Sequence, residues 1–510
     1  MSIATHSADQ SRISAVGVSP RAKAFLFAAV AIIVIITVAR TWIWWRADAG
    51  ISFASGVMIT MASDVTHGVF YRPLFGPLGY GGTRYFPLYF CLHALLLKLG
   101  LPVLFSAYLL SASAILLLML GTYRLLGELE VETWLAWCAA LMLLAAASVQ
   151  LSLTTPQADG LAAAWNVWAL AMIVPAKPSS RRIFLSALFF TLAWSAKLTT
   201  VFGVAAALVW LLAVGRKRAA WLLAAETLCG YLIVAGATIV ASGHRVVEIF
   251  RACASGGADW KFIVSGPMRM QSMALYTDPV LFAFTVLGLL LLAAMLVSGK
   301  LWRSLPALFL IATLAVTILI FGSPGTAGNH LLDLQVAAVI LLANCVAHTT
   351  NPWQKQLGVY GLALLTLLAA FVLWRNMKTW SRWYHPHQFQ HVIAAIPSSG
   401  KPILAENPII PVLAGQQPYV QDPWMVQLLR THFPGFQQPL LDRLRHQDFS
   451  AVVLTSGNIG ENGAQGWFDN NSFGPGFVSV LNDHYKLALQ IDKDWIYLPR
   501  TEAAASIEPK

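Results

Sequence analysis

Residues 24 to about 374 run as a succession of long apolar stretches, whereas residues from about 384 to 510 contain none. A bilayer core asks for about 20 apolar residues per helical crossing. The first stretch, from Ala24 to Trp45, is longer than the core of a secretion signal and lacks a small-residue cleavage site, so it is expected to stay as a helix. Arg12, Arg21 and Lys23 precede it, and Trp42, Trp44 and Trp45 close it as an aromatic anchor. Further spans are expected at about 104–126, 132–152, 159–175, 183–196, 199–215, 219–241, 277–298, 305–322, 331–348 and 357–374. The count is about eleven, with 183–215 readable as one bent element.

The fold class that follows is mainly α: a polytopic transmembrane helix bundle with a small C-terminal α/β domain. Only 11% of residues are charged and 57% are hydrophobic, as such a bundle requires. Arg181 and Arg182, then Arg216, Lys217 and Arg218, then Lys300 and Arg303, then Lys355 all fall on the N-terminal side. Short basic loops stay in the cytoplasm, which orients the chain in a cytoplasmic membrane with its N-terminal tail (1–23) inside. The outer loops 46–103 and 242–276 of the membrane domain (24–375), and the tail domain (384–510), then lie outside. The net charge of +11 reflects those loops meeting headgroups, and nucleic acid is not a partner.

In the tail, Pro402–Ala405, Ala451–Thr455 and Trp495–Leu498 read as short strands. Met425–His432 and Leu440–His446 read as helices. Two aromatic loops, Tyr419–Trp424 and Phe473–Phe477, are candidates to touch an acceptor or the first loop, or simply to pack. Cys91, Cys138, Cys229, Cys253 and Cys345 mostly lie in or beside spans and form no CxxC pair, so no disulfide framework is indicated. No phosphate-cradling glycine loop or HExxH appears in a credible context, which argues against a nucleotide-driven pump.

Polar residues collect at the outer ends of the spans. The first outer loop offers Arg46, Asp48, an amphipathic stretch Ile51–Thr66 containing Asp64, then His67, Tyr71, Arg72, Arg84 and Tyr85. Its apolar run Phe86–Leu99 is short for a span and suits an interfacial helix. Asp159 opens the helix after Thr154–Ala158, where it serves either as a cap or as a carboxylate aimed into a cavity. Lys197 sits between two apolar runs, either snorkelling or anchoring a phosphate. Asn329 and His330 precede Asp333, a carboxylate one turn inside a span and therefore a functional candidate.

Four stretches together resemble the bacterial GT-C glycosyltransferases, the superfamily of lipid A aminoarabinose transferases and protein O-mannosyltransferases. They are Gly68-Val69-Phe70-Tyr71-Arg72-Pro73 with Tyr85-Phe86-Pro87-Leu88-Tyr89, then Gln157-Ala158-Asp159, then Lys197, then Asn329-His330-Leu331-Leu332-Asp333. The chain departs from the family where a first-loop carboxylate is usual and has Ala54, Ser55 and Gly56 instead. The resemblance implies transfer of a sugar from a polyprenyl-phosphate donor to a lipid, glycan or protein acceptor at the outer bilayer face. It implies Asp48 or Asp64 as base and Asp159 as a positioning carboxylate, with a divalent cation (Mg or Mn) as a possible cofactor. Lys197 with Arg72 or Arg84 would hold the phosphate, while Tyr85, Asn329, His330 and Asp333 would line the substrate site. A transporter or flippase is the alternative, and it should show internal repeats and a midplane cavity.

Overall fold

The computed structural model describes residues 17–254, 260–277, 279–299, 301–323, 326, 328–380, 388–455 and 465–500. The expected boundary at 384 lies outside these residues, as does the N-terminal tail to residue 16.

Every expected apolar stretch is helical. Helix α1 (Pro20–Ala47) begins at the Ser19 cap and Pro20, a favoured start, and ends where Asp48 turns into the left-handed region. The first loop then holds α2 (Phe53–Thr66), the two-residue strands β1 (Phe75–Gly76) and β2 (Gly79–Tyr80), and α3 (Leu88–Lys98). The long α4 (Val103–Glu128) returns to the other end of the bundle. Helices α5 (Thr133–Met142) and α6 (Ala147–Thr154) follow each other across a break at which the direction bends by 71°. A break frees backbone carbonyls that lipid cannot satisfy. Here the buried Gln150 amide donates to the Leu144 carbonyl (2.6 Å) and to Thr37 (2.6 Å), while Arg40 of α1 donates to the Gln150 side-chain oxygen (3.1 Å).

Next come α7 (Asp159–Ile173), α8 (Ser180–Ala196), α9 (Phe202–Ala213) and α10 (Lys217–Ala241). The run 183–215 is thus two helices parted by a turn. Helix α7 packs between α4 and α8. Helix α9 has 12 residues, short of the roughly 20 a bilayer asks, so the preceding turn lies where irregular backbone must be buried in protein. Thr200 is fully buried there and donates to the Lys197 carbonyl (2.7 Å). The chain continues through α11 (Arg245–Ala254), α12 (Trp260–Thr277), α13 (Pro279–Val297), α14 (Leu305–Ile320), α15 (Leu332–Ala347) and α16 (Pro352–Trp380), the last packed on α1. Among the described residues, 5 helices are by themselves long and apolar enough to cross a membrane, or 6 with the bent pair. The protein is a multi-pass membrane protein.

The helices alternate between two ends. One end is basic and tied by ion pairs: Arg182 to Glu128 (2.8 Å) and Lys355 to Glu132 (2.7 Å). There Arg216 also donates to the carbonyls of Val174 (3.2 Å) and Pro175 (2.8 Å). The other end carries the first loop, α11 and the C-terminal residues.

Those C-terminal residues form α17 (Gln388–Ala394), β3 (Ile403–Ala405), α18 (Ile409–Leu413), α19 (Pro423–Arg430), α20 (Gln438–Arg445), β4 (Ala451–Thr455), α21 (Gln465–Asn471), α22 (Phe477–His484), β5 (Tyr485–Ile491) and β6 (Asp494–Pro499). The sheet order is β3-β4-β6-β5, with β3 and β4 parallel and the other pairs antiparallel. The sequence reading missed β5. Its Tyr485 is buried, but Lys486–Gln490 are exposed, so it lacks the alternation that marks a half-buried strand.

The first loop is built into this sheet domain. Tyr80 is fully buried in the C-terminal core, its N–H donates to the Tyr419 carbonyl (2.8 Å), and Gln421 N–H donates back to Tyr80 (3.0 Å). The Tyr80 hydroxyl donates to the Phe436 carbonyl (2.8 Å) and accepts from Leu440 N–H (3.1 Å). Of the two aromatic loops, Tyr419–Trp424 therefore meets the first loop, whereas Phe473 and Phe477 stack within the C-terminal core. Gly79 permits the docking. Its φ is +86°, and an added Cβ would lie 2.1 Å from the Tyr419 carbonyl oxygen. Gly79→Ala is expected to destabilise the protein by about 2–5 kcal/mol, read as a lowered thermal midpoint in detergent and faster protease cleavage in the first loop.

Candidate active site

Three helix ends bring Asp159, Lys197 and Asn329 together. Asp159 stands in the first turn of α7, but no side-chain cap bond forms there. Its Oδ1 accepts from Lys197 Nζ at 2.5 Å, and its Oδ2 accepts from Asn329 Nδ2 at 3.1 Å. The carboxylate is therefore a pairing group rather than a cap. Lys197 follows the last turn of α8 in an extended conformation that carries its side chain toward α7. It pairs instead of snorkelling, and it is only 13% exposed. The carboxylates of Asp159 and Asp333 both lie within electrostatic reach of its ammonium.

Asn329 and His330 lie on a 3-10 turn, Gly328–Leu331, that leads into α15. Asp333 follows in the first turn of α15, buried, within electrostatic reach of Lys197 and Asp159. The His330 Nδ1 and Gln157 Oε1 atoms are buried with no partner.

A second group faces this one. Arg84 is exposed and makes no hydrogen bond or ion pair among the described residues. Its charge is felt by His330 of the first group, and by Tyr85, Cys253 and Asp422. Tyr85 lies within reach of Asp159 as well as Asp422, which joins the two groups. Tyr71 donates its hydroxyl to the Tyr85 carbonyl (3.0 Å), which fixes that stretch of the loop. Asp422 caps α19 through Trp424 N–H (3.1 Å). Burial pushes its carboxyl up, Arg84 and two backbone N–H groups pull it down, and the balance is about 6. The sequence reading did not single out Asp422. Its signature, Asp422-Pro423, is that of an ordinary helix start, and nothing local reveals Arg84 across from it.

Asp64 and Arg72 sit elsewhere. Arg72 Nη2 donates to Asp64 Oδ1 (2.6 Å) and Nε to Oδ2 (2.7 Å), a bidentate pair with no exposed Arg72 side-chain surface. Gln421 donates a further bond to Asp64 Oδ2 (2.8 Å), and Arg72 Nη1 donates to the Pro418 carbonyl (2.6 Å). Both carboxylate oxygens are taken, and the guanidinium faces protein throughout. The pair expected to abstract a proton and clamp a phosphate instead ties the first loop to the C-terminal residues. Asp48 is also buried, at the end of α1 within electrostatic reach of Tyr108, while its neighbour Trp45 donates to the Leu153 carbonyl (3.0 Å). The distinction needed the fold, because a loop carboxylate looks the same in sequence whether bonded or free.

Among the described residues, no three His, Cys, Asp or Glu side chains come together to hold a metal ion. The oxygens of Asp159 already face Lys197 and Asn329. This donor set does not fit the divalent cation that the family resemblance suggested.

No family model matches the chain, and no curated protein matches it. Its architecture does match solved structures. The oligosaccharyltransferase of Archaeoglobus fulgidus in the apo form superposes with a TM-score of 0.56 at 12% identity, over 91% of this chain and 72% of that one. The same organism's AglB, in complex with an inhibitory peptide and a dolichol-phosphate, gives 0.53 at 12% identity over 86% and 70%. ArnT from Cupriavidus metallidurans bound to undecaprenyl phosphate gives 0.52 at 12% identity over 94% and 99%. At these identities the likeness is one of fold, and the chain has the GT-C fold that these membrane glycosyltransferases share.

Proposed function

We propose that this protein is a membrane glycosyltransferase that moves a sugar from a polyprenyl-phosphate donor to an acceptor hydroxyl. One observation carries the proposal: the Asp159–Lys197–Asn329 cluster and the unpaired Arg84 meet at the loop-bearing end of a GT-C bundle. Structures of that fold have been solved with undecaprenyl phosphate and with dolichol-phosphate. The basic opposite end supports a cytoplasmic placement for it, with the site at the outer face of the cytoplasmic membrane. A flippase is less well supported, because the paired and facing charges of this site sit at one end of the bundle.

In the proposed reaction the acceptor oxygen bonds to the anomeric carbon as the bond from that carbon to the phosphate oxygen breaks. The polyprenyl phosphate leaves with the electron pair. Lys197 and Arg84 stabilise its growing charge. Asp159 holds the Lys197 ammonium in place and keeps it charged. Asp422 takes the acceptor proton, in place of Asp48 or Asp64, because it faces Arg84 and carries a pKa near the working range. His330, Asn329, Tyr85 and Asp333 shape the sugar-phosphate seat.

The direct test is incubation of the purified protein with a panel of polyprenyl-phosphate sugars, scored for binding and sugar release. No binding and no release across the panel would reject the transferase. For the base, the sign is fixed by its role: Asp422 works deprotonated. Activity (kcat/KM) should rise as pH climbs through about 6 and flatten above. Asp422→Asn should lower the plateau by about 10²-fold or more and abolish that acid limb. A variant that keeps the limb would remove Asp422 from the role.

A further inference from the structure

Beside the candidate site, on the far side of α11, lies an open cavity of about 700 Å³. Helix α11 is amphipathic: Val246, Ile249 and Cys253 are buried against α2 and α19, while His244, Glu248 and Arg251 are exposed at helical spacing. The cavity is lined by His244, Arg245, Glu248 and Arg251 of this segment and by His432 and Phe433 at the end of α19. Arg245 spends its Nε on the Ser242 carbonyl (2.8 Å), and its terminal nitrogens make no ion pair among the described residues. Arg251 and His432 make no hydrogen bond or ion pair among the described residues. Two guanidinium groups and two imidazoles thus oppose one carboxylate around an open volume.

The surroundings are apolar. Helix α10 leads directly into the cavity, and its outer surface presents Leu232, Ile233 and Val240, the last 75% exposed. Phe433 on the cavity wall and Trp260 at the start of α12 are exposed too. A ligand here meets cations on one side and a lipid-facing helix on the other.

We infer that this cavity is a binding site for the phosphate headgroup of a bilayer lipid, with Arg245 and Arg251 as its cationic ligands. Guanidinium forks match phosphate oxygens, and basic pockets beside membrane helices suit anionic headgroups. The lipid is favoured over free phosphate because α10, which ends two residues before the cavity lining begins, carries an exposed apolar surface. Occupancy would also brace α11, whose Cys253 Sγ lies 3.4 Å from Met425 Sδ of α19, against the C-terminal residues.

The test is native mass spectrometry of the full chain in detergent, titrated with dioleoyl phosphatidylglycerol or dioleoyl phosphatidylcholine. The double variant Arg245→Gln/Arg251→Gln should retain phosphatidylglycerol about tenfold less, with phosphatidylcholine unchanged. Glu248→Gln removes the opposing charge and should raise phosphatidylglycerol retention several-fold, which reads the site even if the double variant does not fold. Wild-type retention by the double variant, or no rise with Glu248→Gln, overturns the proposal. Displacement of the lipid by an equal concentration of glycerol 3-phosphate also overturns it, since the site would then take the free anion.

Discussion

Asp159→Asn is expected to cost both stability and activity, and the two losses should be separable. The substitution removes the anion from a buried pair and leaves the Lys197 ammonium enclosed beside His330. Removing one partner of a buried pair costs about 3–5 kcal/mol. The activity loss should be larger, about 10³-fold in sugar release, because Lys197 then loses the contact that aims it at the leaving phosphate. Adding Lys197→Met to Asp159→Asn removes the stranded charge. Thermal stability should then recover much of its loss, since no buried ammonium is left without its carboxylate. Transfer should stay abolished. Full transfer by Asp159→Asn at normal expression would dissolve the proposed site.

Arg72→Ala carries the second large effect. It strands the Asp64 carboxylate without its guanidinium and removes the bond to the Pro418 carbonyl. A loss of about 3–5 kcal/mol is expected, measured by thermal unfolding in detergent. Because Gln421 and Pro418 belong to the C-terminal residues, the first loop should loosen from them, and protease should cut near Tyr80 and Tyr419 sooner than in the wild type. The paired substitution Asp64→Leu/Arg72→Met should restore much of the stability and retain transfer. If it restores stability but eliminates transfer, Asp64 is chemical after all. That outcome would return the base to the first loop and remove it from Asp422.

The two ion pairs show how far local pattern reaches. Asp159, Lys197 and Asn329 were legible as candidates because each is a polar residue at the end of an apolar run. Burying such a residue in a bilayer is costly unless it is paired or functional. Alternation of the helices between the two ends then forces all three to one side, while packing of α7, α8 and the turn before α15 brings them into contact. Asp64 and Arg72 carried equally polar letters in the same loop, yet their partners Gln421 and Pro418 lie some 350 residues further along the chain. No periodicity records a contact of that sequence separation. Arg84 and Asp422 repeat the lesson: a loop arginine and a helix cap come within electrostatic reach only after Tyr80 enters the C-terminal core.

The sequence by itself determined the apolar helices and the basic character of one end, because hydropathy and loop charge act over one helix length. The tertiary structure alone decided which of those charges are bonded and which are free, where α5 and α6 bend, and that the first loop and the C-terminal sheet share a core. Those outcomes rest on packing and desolvation between segments far apart in the chain, where a charge's fate depends on the partner it is buried against rather than on its neighbours in sequence.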